Sequence, residues 1–112
     1  METRLDKEGA YMSRADEIGT HKTSIGADGN SRVAVRYWST DVVAFNDEEI
    51  ILRDGGHMSA TTKLRMNQAA RQFGLGYSVY QRDFTWYVKW RGKVLEYQSD
   101  YANYHNPFTL KR

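Results

Sequence analysis

The stretch Ser59–Gly74, with the sequence SATTKLRMNQAARQFG, predicts the one long helix of this chain. Ser59 or Thr61 can cap its start, because a hydroxyl accepts a hydrogen bond from the unpaired amides of a first helical turn. Gly74 follows at the position where glycine commonly ends a helix. One stripe of the helix is suited to packing on a sheet, and it consists of Thr62, Met66, Ala69, Ala70 and Phe73. We therefore predict a helix over residues 60–73.

Strand patterns lie on both sides of this helix. Two hairpins precede it, in HKTSIGADGNSRVAVRYW and DVVAFNDEEIILR, and three strands follow it, in YSVYQ, FTWYVKW and KVLEYQ. We expect a single α+β domain in which an antiparallel sheet of about six strands packs against one main helix. Alternation in the middle late strand predicts a core face of Phe84, Trp86, Val88 and Trp90. If the helix leaves that face uncovered, we expect it to be a homodimer interface.

The chain of 112 residues has the length of one domain. We expect residues 1–19 to be a polar arm, either mobile or with a short helix over SRADEI, and residues 20–98 to be the core domain. Residues 99–112 are predicted to be an aromatic tail, docked on the core or on a partner. No apolar run approaches the roughly 20 residues of a membrane span, and the charged segment METRLDKEG does not lead into a signal-like stretch. We therefore expect a cytoplasmic protein that does not contact membranes.

The charges are distributed unevenly along the chain. Residues 1–54 have 11 acidic and 7 basic side chains, whereas residues 61–93 have 7 basic side chains and a single acidic one, Asp83. Such asymmetry predicts a basic face that contacts an anionic partner. The alternative is that the basic half of the chain simply packs beside the acidic half.

The start of the predicted helix has the wrong charges for a helix dipole. Lys63 and Arg65 lie in the first turn, where each opposes the dipole by about 0.3–1 kcal/mol. A bound phosphate would reverse that sign, because the two cations and the hydroxyls of Thr61 and Thr62 could all donate to it. Alternatively, two exposed basic side chains cost little and have no function. His57, in GGHMS, could join the site or be an ordinary loop residue.

A second candidate is a sheet face that combines aromatic and basic side chains. Tyr80, Arg82, Tyr87 and Lys89 are expected to project together, so that the rings stack on bases and the cations bind the nucleic-acid backbone. An ordinary solvated sheet face would show the same alternation. The full set predicted to bind phosphate or nucleic acid is Thr61, Thr62, Lys63, Arg65, Asn67, Arg71, Tyr80, Arg82, Tyr87 and Lys89.

Motifs for catalysis and metal binding are missing from the sequence. The three histidines are far apart, the acidic run 47–49 reads as a hairpin turn, and there is no cysteine. No phosphate-binding loop, nucleophile elbow or dinucleotide fingerprint occurs. We therefore expect a protein that is not an enzyme and binds no metal or cofactor.

Three segments resemble a widespread family of small bacteriophage proteins: STDVVAFNDEEIILRDGG, ATTKLRMNQ and FGLGYSVYQRDFTWYV. They cover roughly residues 39–88, and the markers are a Gly pair, the run TTKxRMN and a following Val-Tyr strand. His57-Met58 stand where a Trp commonly follows the Gly pair in that family. The resemblance implies a phage or prophage origin and the cytoplasm of a bacterial host, but no particular activity.

Two binding functions remain open, and a third reading is an enzyme whose site is built from dispersed residues. We expect a non-enzymatic binding protein for a phosphate-bearing partner, above all nucleic acid. The alternative is an inhibitor or adaptor that binds a host protein, for example in a defence complex. This alternative is motivated by the phage resemblance, by Leu64, which lies off the buried stripe of the helix, and by the aromatic tail.

Overall fold

The structure is a computed structural model, and it describes residues 5–6, 9–10, 18–101 and 106–112. This part of the chain contains one helix, α1 (Ala60–Gln72), and ten strands. The strands are β1 (Leu5–Asp6), β2 (Gly9–Ala10), β3 (Thr23–Ala27), β4 (Val33–Tyr37), β5 (Thr40–Phe45), β6 (Glu49–Leu52), β7 (Tyr77–Arg82), β8 (Thr85–Trp90), β9 (Lys93–Glu96) and β10 (Phe108–Lys111).

Five strands form one antiparallel sheet with the order β10-β6-β5-β4-β3. Most strands that are neighbours in this sheet are also consecutive in the chain, because short turns connect them. The carboxylate of Asp28 shapes the β3–β4 turn by accepting from the backbone amides of Asn30, at 2.8 Å, and Arg32, at 3.1 Å. The side chain of Asn46 accepts from two amides of the β5–β6 turn in the same way. Asp and Asn favour turns because their short side chains reach nearby backbone amides.

The strands β7, β8 and β9 form a second antiparallel sheet in that order. Arg82 pairs with Thr85, so Asp83 and Phe84 alone make the loop between β7 and β8, with φ of 51° and 67°. A two-residue loop with both φ values positive matches the twist of the strands that it joins. Phe84 therefore lies at the hairpin tip and is 94% exposed. The prediction that it shares a core face with Trp86 was wrong.

The helix α1 has nearly the bounds that its sequence predicts. Ser59 is the N-cap residue, and its hydroxyl accepts from the backbone amide of Thr62 at 3.1 Å. The last helical residue is Gln72, and Gly74 follows with a φ of 63°, which glycine adopts without steric cost. The predicted range of 60–73 thus differs from the observed one by a single residue.

One hydrophobic core joins α1 to both sheets. Its fully buried side chains include Val35, Val42, Val43, Ile50, Leu52, Met66 and Val88. Trp86 is also buried, with 3% exposure, while Trp90 is half-buried and packs at the edge of the core. We expected a homodimer interface only if the face with Trp86 and Val88 were uncovered. Both side chains are buried, so this reason for a homodimer does not apply.

The single α+β domain, the antiparallel strands and the single main helix are confirmed within the described residues. The longer strands number eight there and divide into two sheets, because the tail contributes β10 to the edge next to β6. The first segment contributes the short hairpin β1–β2. Residues 13–17 of the expected SRADEI helix, most of the expected mobile arm, and Tyr104 of the tail lie outside the described residues.

Candidate functional site

The two cations predicted for the first turn of α1 point to different parts of the molecule, and Arg65, the sixth helical residue, lies in the second turn. Lys63 reaches towards the three-stranded sheet, where its Nζ donates to Oε1 of Gln81 at 3.4 Å and lies 5.6 Å from the ring centre of Trp86. Residues two apart on a helix do not share a face. Arg65 accordingly lies on the other side of α1, so the structure does not bring Lys63 and Arg65 together around one anion.

Arg65 is buried beside the five-stranded sheet, with an exposure of 6%. Its Nε donates to the hydroxyl of Thr23 at 3.0 Å, and its Nη1 donates to Oε1 of Gln68 at 3.1 Å. The guanidinium also lies 5.7 Å from the ring centre of Tyr37. A Cβ atom on Gly19 would come within 2.8 Å of three guanidinium atoms, so the backbone packs directly against this side chain. These contacts hold the N-terminal end of β3 against α1.

The hydroxyl of Thr62 is used inside the helix cap, 3.0 Å from the hydroxyl of Ser59, and Thr62 is buried. Thr61 is half-buried next to it. The side chain of Asn67 forms two hydrogen bonds with the backbone of Val79, of 2.7 and 2.8 Å. Arg71 is exposed in the last turn, where a cation favours the helix dipole. The helix residues of the predicted set are thus dispersed around α1.

The sheet residues of the predicted set do converge. Tyr80 and Tyr87 are directly opposite each other on β7 and β8, with ring centres 5.6 Å apart and planes inclined by 28°. The flanking cross-strand pairs are Arg82 with Thr85 and Ser78 with Lys89. Because alternate strand residues share a face, all six side chains lie on one surface of the sheet. We call this surface the tyrosine face; it consists of Ser78, Tyr80, Arg82, Thr85, Tyr87 and Lys89.

The cations of the tyrosine face are not neutralised by the acidic half of the chain. Arg82 and Lys89 are exposed, and neither forms an ion pair with any described residue. The ion pairs that join two described residues lie in the five-stranded sheet and its turns, and they are Arg32–Asp28, Arg32–Glu49, Arg36–Asp41 and Lys111–Glu49. Glu96, which is directly opposite Tyr87 on β9, lies on the same surface of the sheet, next to the tyrosine face. Arg82 and Lys89 are therefore available to solvent or to an anionic partner.

A buried carboxyl pair that the sequence did not indicate lies behind the end of β6. Asp54 accepts from the amide of Gly56 at 2.7 Å and from the hydroxyls of Ser99, at 2.8 Å, and Tyr97, at 3.0 Å. Asp100 accepts from the amides of Asp54, at 3.0 Å, and Gly55, at 3.2 Å.

Burial raises the pKa of the Asp54 carboxyl, and a hydrogen bond with the side chain of Asp100 raises it further. The pair holds the segment after β9 against the end of β6. No local signal could have indicated it, because the two carboxyls are 46 positions apart.

The described part of the chain contains neither a cluster of metal-binding side chains nor a membrane-spanning helix. Among these residues, no group of three or more His, Asp or Glu side chains lies close enough to hold a metal ion. The helix described here is too short and too polar to cross a bilayer.

Comparison with known proteins gives a family. Searches of curated proteins and of solved structures found no match. The family model named Kyanoviridae Gp96 protein matches residues 5–109, which is nearly the whole chain. The expected phage origin agrees with this match, and the chain belongs to the Kyanoviridae Gp96 family of phage proteins.

Proposed function

We propose that this phage protein is a non-enzymatic nucleic-acid-binding protein that uses the tyrosine face to bind a single strand. The observation that carries the proposal is the stacked pair Tyr80–Tyr87, flanked on the same face by Arg82 and Lys89 without ion-pair partners among the described residues. Every base has a π-face, so aromatic side chains on an open sheet bind unpaired bases with little dependence on sequence.

The spacing of the face suits an extended strand. Arg82 and Ser78 are four residues apart on β7, so the Arg82–Thr85 row and the Ser78–Lys89 row lie about 13 Å apart, with the tyrosine row between them. Bases stacked on Tyr80 and Tyr87 would thus have a cation on either side for their phosphates. Double-stranded nucleic acid does not offer its base faces, so we expect it to bind more weakly.

The test measures the binding of labelled single- and double-stranded DNA and RNA by fluorescence anisotropy over a series of salt concentrations. We expect single strands to bind with an affinity that falls steeply with salt. Arg82→Gln and Lys89→Gln should each lower the salt slope by about 1, because each removes one phosphate contact. Tyr80→Thr and Tyr87→Thr keep strand propensity and should weaken binding roughly tenfold without changing the slope.

The matched control is Lys111→Gln, which removes the same charge from an exposed residue of the other sheet. We expect this variant to bind with the salt slope of the unmodified protein. If no single strand binds at low salt, or if the control lowers the slope as much as Lys89→Gln does, the proposal fails.

A second candidate function is the binding of a host protein, as an inhibitor or adaptor. Two exposed apolar side chains favour it, Phe84 at the hairpin tip and Leu64 on α1, with exposures of 94% and 44%. Capture from a nuclease-treated bacterial lysate separates the two functions. A partner that is retained after nuclease, and lost in Phe84→Ser or Leu64→Ser, favours this function. Either function would place the protein in the cytoplasm of the bacterial host.

A further inference from the structure

A cavity of about 640 Å³ opens between the β4–β5 turn and the loop that precedes α1. This volume is within the range of small-molecule sites, which is about 300–1,000 Å³. Its wall includes three aromatic side chains, Tyr37, Trp38 and Tyr101, and the polar side chains of Thr40, Asp54 and His57. None of these residues belongs to the tyrosine face.

Trp38 occupies a backbone position that rarely holds a large side chain. Tyr37 pairs with Thr40, so Trp38 and Ser39 alone make the turn between β4 and β5, and Trp38 has a φ of 56°. Asn or Gly usually fill such positions, because a side chain there is sterically strained. The backbone amide of Trp38 donates to the carbonyl of Lys22 at 2.8 Å, which fixes the turn.

The turn places the indole at the surface, not in the core. Trp38 is 61% exposed, and the ammonium of Lys22 lies 5.1 Å from its ring centre. The ring of Tyr37 meets it edge-on, with centres 6.4 Å apart. The indole of Trp38 is thus held at a strained backbone position and contacts a cation, while most of its surface stays uncovered. It provides a stacking surface next to the cavity.

The polar part of the wall can both donate and accept hydrogen bonds. Hydroxyls of Ser39 and Thr40 do both, and the buried Asp54 carboxyl, whose pKa burial raises, lies at the wall as well. The ring of Tyr101 lies against Gly56, where a Cβ atom would come 3.0 Å from it. An apolar ligand would remove the hydroxyls of Ser39 and Thr40 from water without offering them a hydrogen bond, and a bare anion would make no use of the rings.

We propose that the cavity binds a planar heteroaromatic ring with hydrogen-bonding edges, the chemistry of a nucleobase, stacked on Trp38. The ring can come from a free nucleoside or nucleotide, or from an unstacked base of a nucleic acid. This site is separate from the tyrosine face and does not depend on the function proposed for that face.

The experiment follows the indole N–H signals of the three tryptophans by NMR during titration with nucleosides, with a single-stranded oligonucleotide, and with a base-free sugar-phosphate oligomer. We expect the Trp38 signal to shift with nucleosides, with the oligonucleotide, or with both, while the signals of Trp86 and Trp90 move less. A shift with nucleosides alone identifies a free nucleoside or nucleotide as the ligand, and a shift with the oligonucleotide alone identifies an unstacked base of a nucleic acid. The proposal is overturned if neither shifts the Trp38 signal at millimolar concentration, or if the base-free oligomer shifts it equally.

The variant Trp38→Gly separates binding from folding. Glycine suits the positive φ, so this variant should keep or raise the Tm while it weakens ring binding roughly tenfold or more, as measured by calorimetry. Trp38→Phe should restore most of the binding. The Trp38 indole signal should still shift with nucleosides in Tyr80→Thr and Tyr87→Thr, so the failure of one site can be told from the failure of the other. Unchanged binding in Trp38→Gly would contradict the proposal.

Discussion

The side chain of Asn67 pairs with the backbone of Val79 as a neighbouring strand would. Its Nδ2 donates to the carbonyl oxygen of Val79 at 2.8 Å, and its Oδ1 accepts from the amide of Val79 at 2.7 Å. β7 is an edge strand of its sheet, and Val79 is buried at that edge. One carboxamide on α1 therefore satisfies two backbone groups that no described strand covers, and it fixes α1 to the three-stranded sheet.

Replacing Asn67 should destabilise the fold without a change in surface charge. We expect Asn67→Ala to lower the free energy of unfolding by about 1–3 kcal/mol, because both groups of Val79 lose their partner at a buried site. Urea denaturation measures the change. Gln98→Ala, which shortens an exposed amide, is the control and should change stability little. Equal stability of Asn67→Ala and the unmodified protein would contradict the structural role.

Arg65 should act on stability and not on nucleic-acid binding. Arg65→Ala removes the hydrogen bonds to Thr23 and Gln68 at a buried site, and we expect a loss of about 2–3 kcal/mol in the free energy of unfolding. Arg65→Lys should restore little, because an ammonium lacks the planar fork that reaches both partners. A folded Arg65→Ala variant with normal stability and lost nucleic-acid binding would instead support the phosphate site predicted from the sequence.

The protein should be more stable with glycine than with phenylalanine at position 84, the tip of the β7–β8 hairpin. Phe84 has a φ of 67° and almost full exposure, so Phe84→Gly removes a strained side chain without loss of core contacts. We expect the free energy of unfolding to rise by about 1 kcal/mol, which thermal unfolding would detect. Phe84→Ala is the matched control, since it removes the same ring but keeps a Cβ atom. If the alanine variant is as stable as the glycine variant, backbone strain is not the cause.

Stability should depend on pH through Asp54. Burial raises its pKa in the folded protein, so the folded state binds this proton more tightly than the unfolded state does. This contribution to stability is present below the pKa of the unfolded chain and is lost as pH rises through the folded pKa. We expect the stability of Asp54→Asn, relative to the unmodified protein, to increase as pH rises above about 4, the pKa of the carboxyl in the unfolded chain. Urea denaturation at a series of pH values on both sides of this point tests this; a constant difference would exclude the proton effect.

The sequence predicted what depends on neighbouring residues and missed what depends on distant ones. Ser59 and Gly74 bound the helix through local hydrogen bonding and backbone geometry, so both ends were predictable. The directions of Lys63 and Arg65 were not, because they depend on Gln81 in one sheet and on Thr23, which precedes Arg65 by 42 positions.

The strand alternation was informative within β8 but failed at its end. Trp86 and Val88 are buried as predicted, whereas Phe84 would continue the same alternation only if the strand began one residue earlier. The two-residue loop takes Phe84 out of the strand. The pairing of β10 with β6 escaped prediction, because nothing in FTLK specifies which of several hydrophobic edges it joins.

The position of β10 also affects how molecules of this protein interact with one another at high concentration. β6 contributes Ile50 and Leu52 to the interior, and among the described residues it is β10 that covers its outer backbone edge. An apolar strand with uncovered amides and carbonyls recruits strands from other molecules and leads to aggregation. β10 replaces β6 at the edge of the sheet, and it is a short strand that carries the exposed Lys111, a kind of edge that disfavours pairing with other molecules in a crowded population.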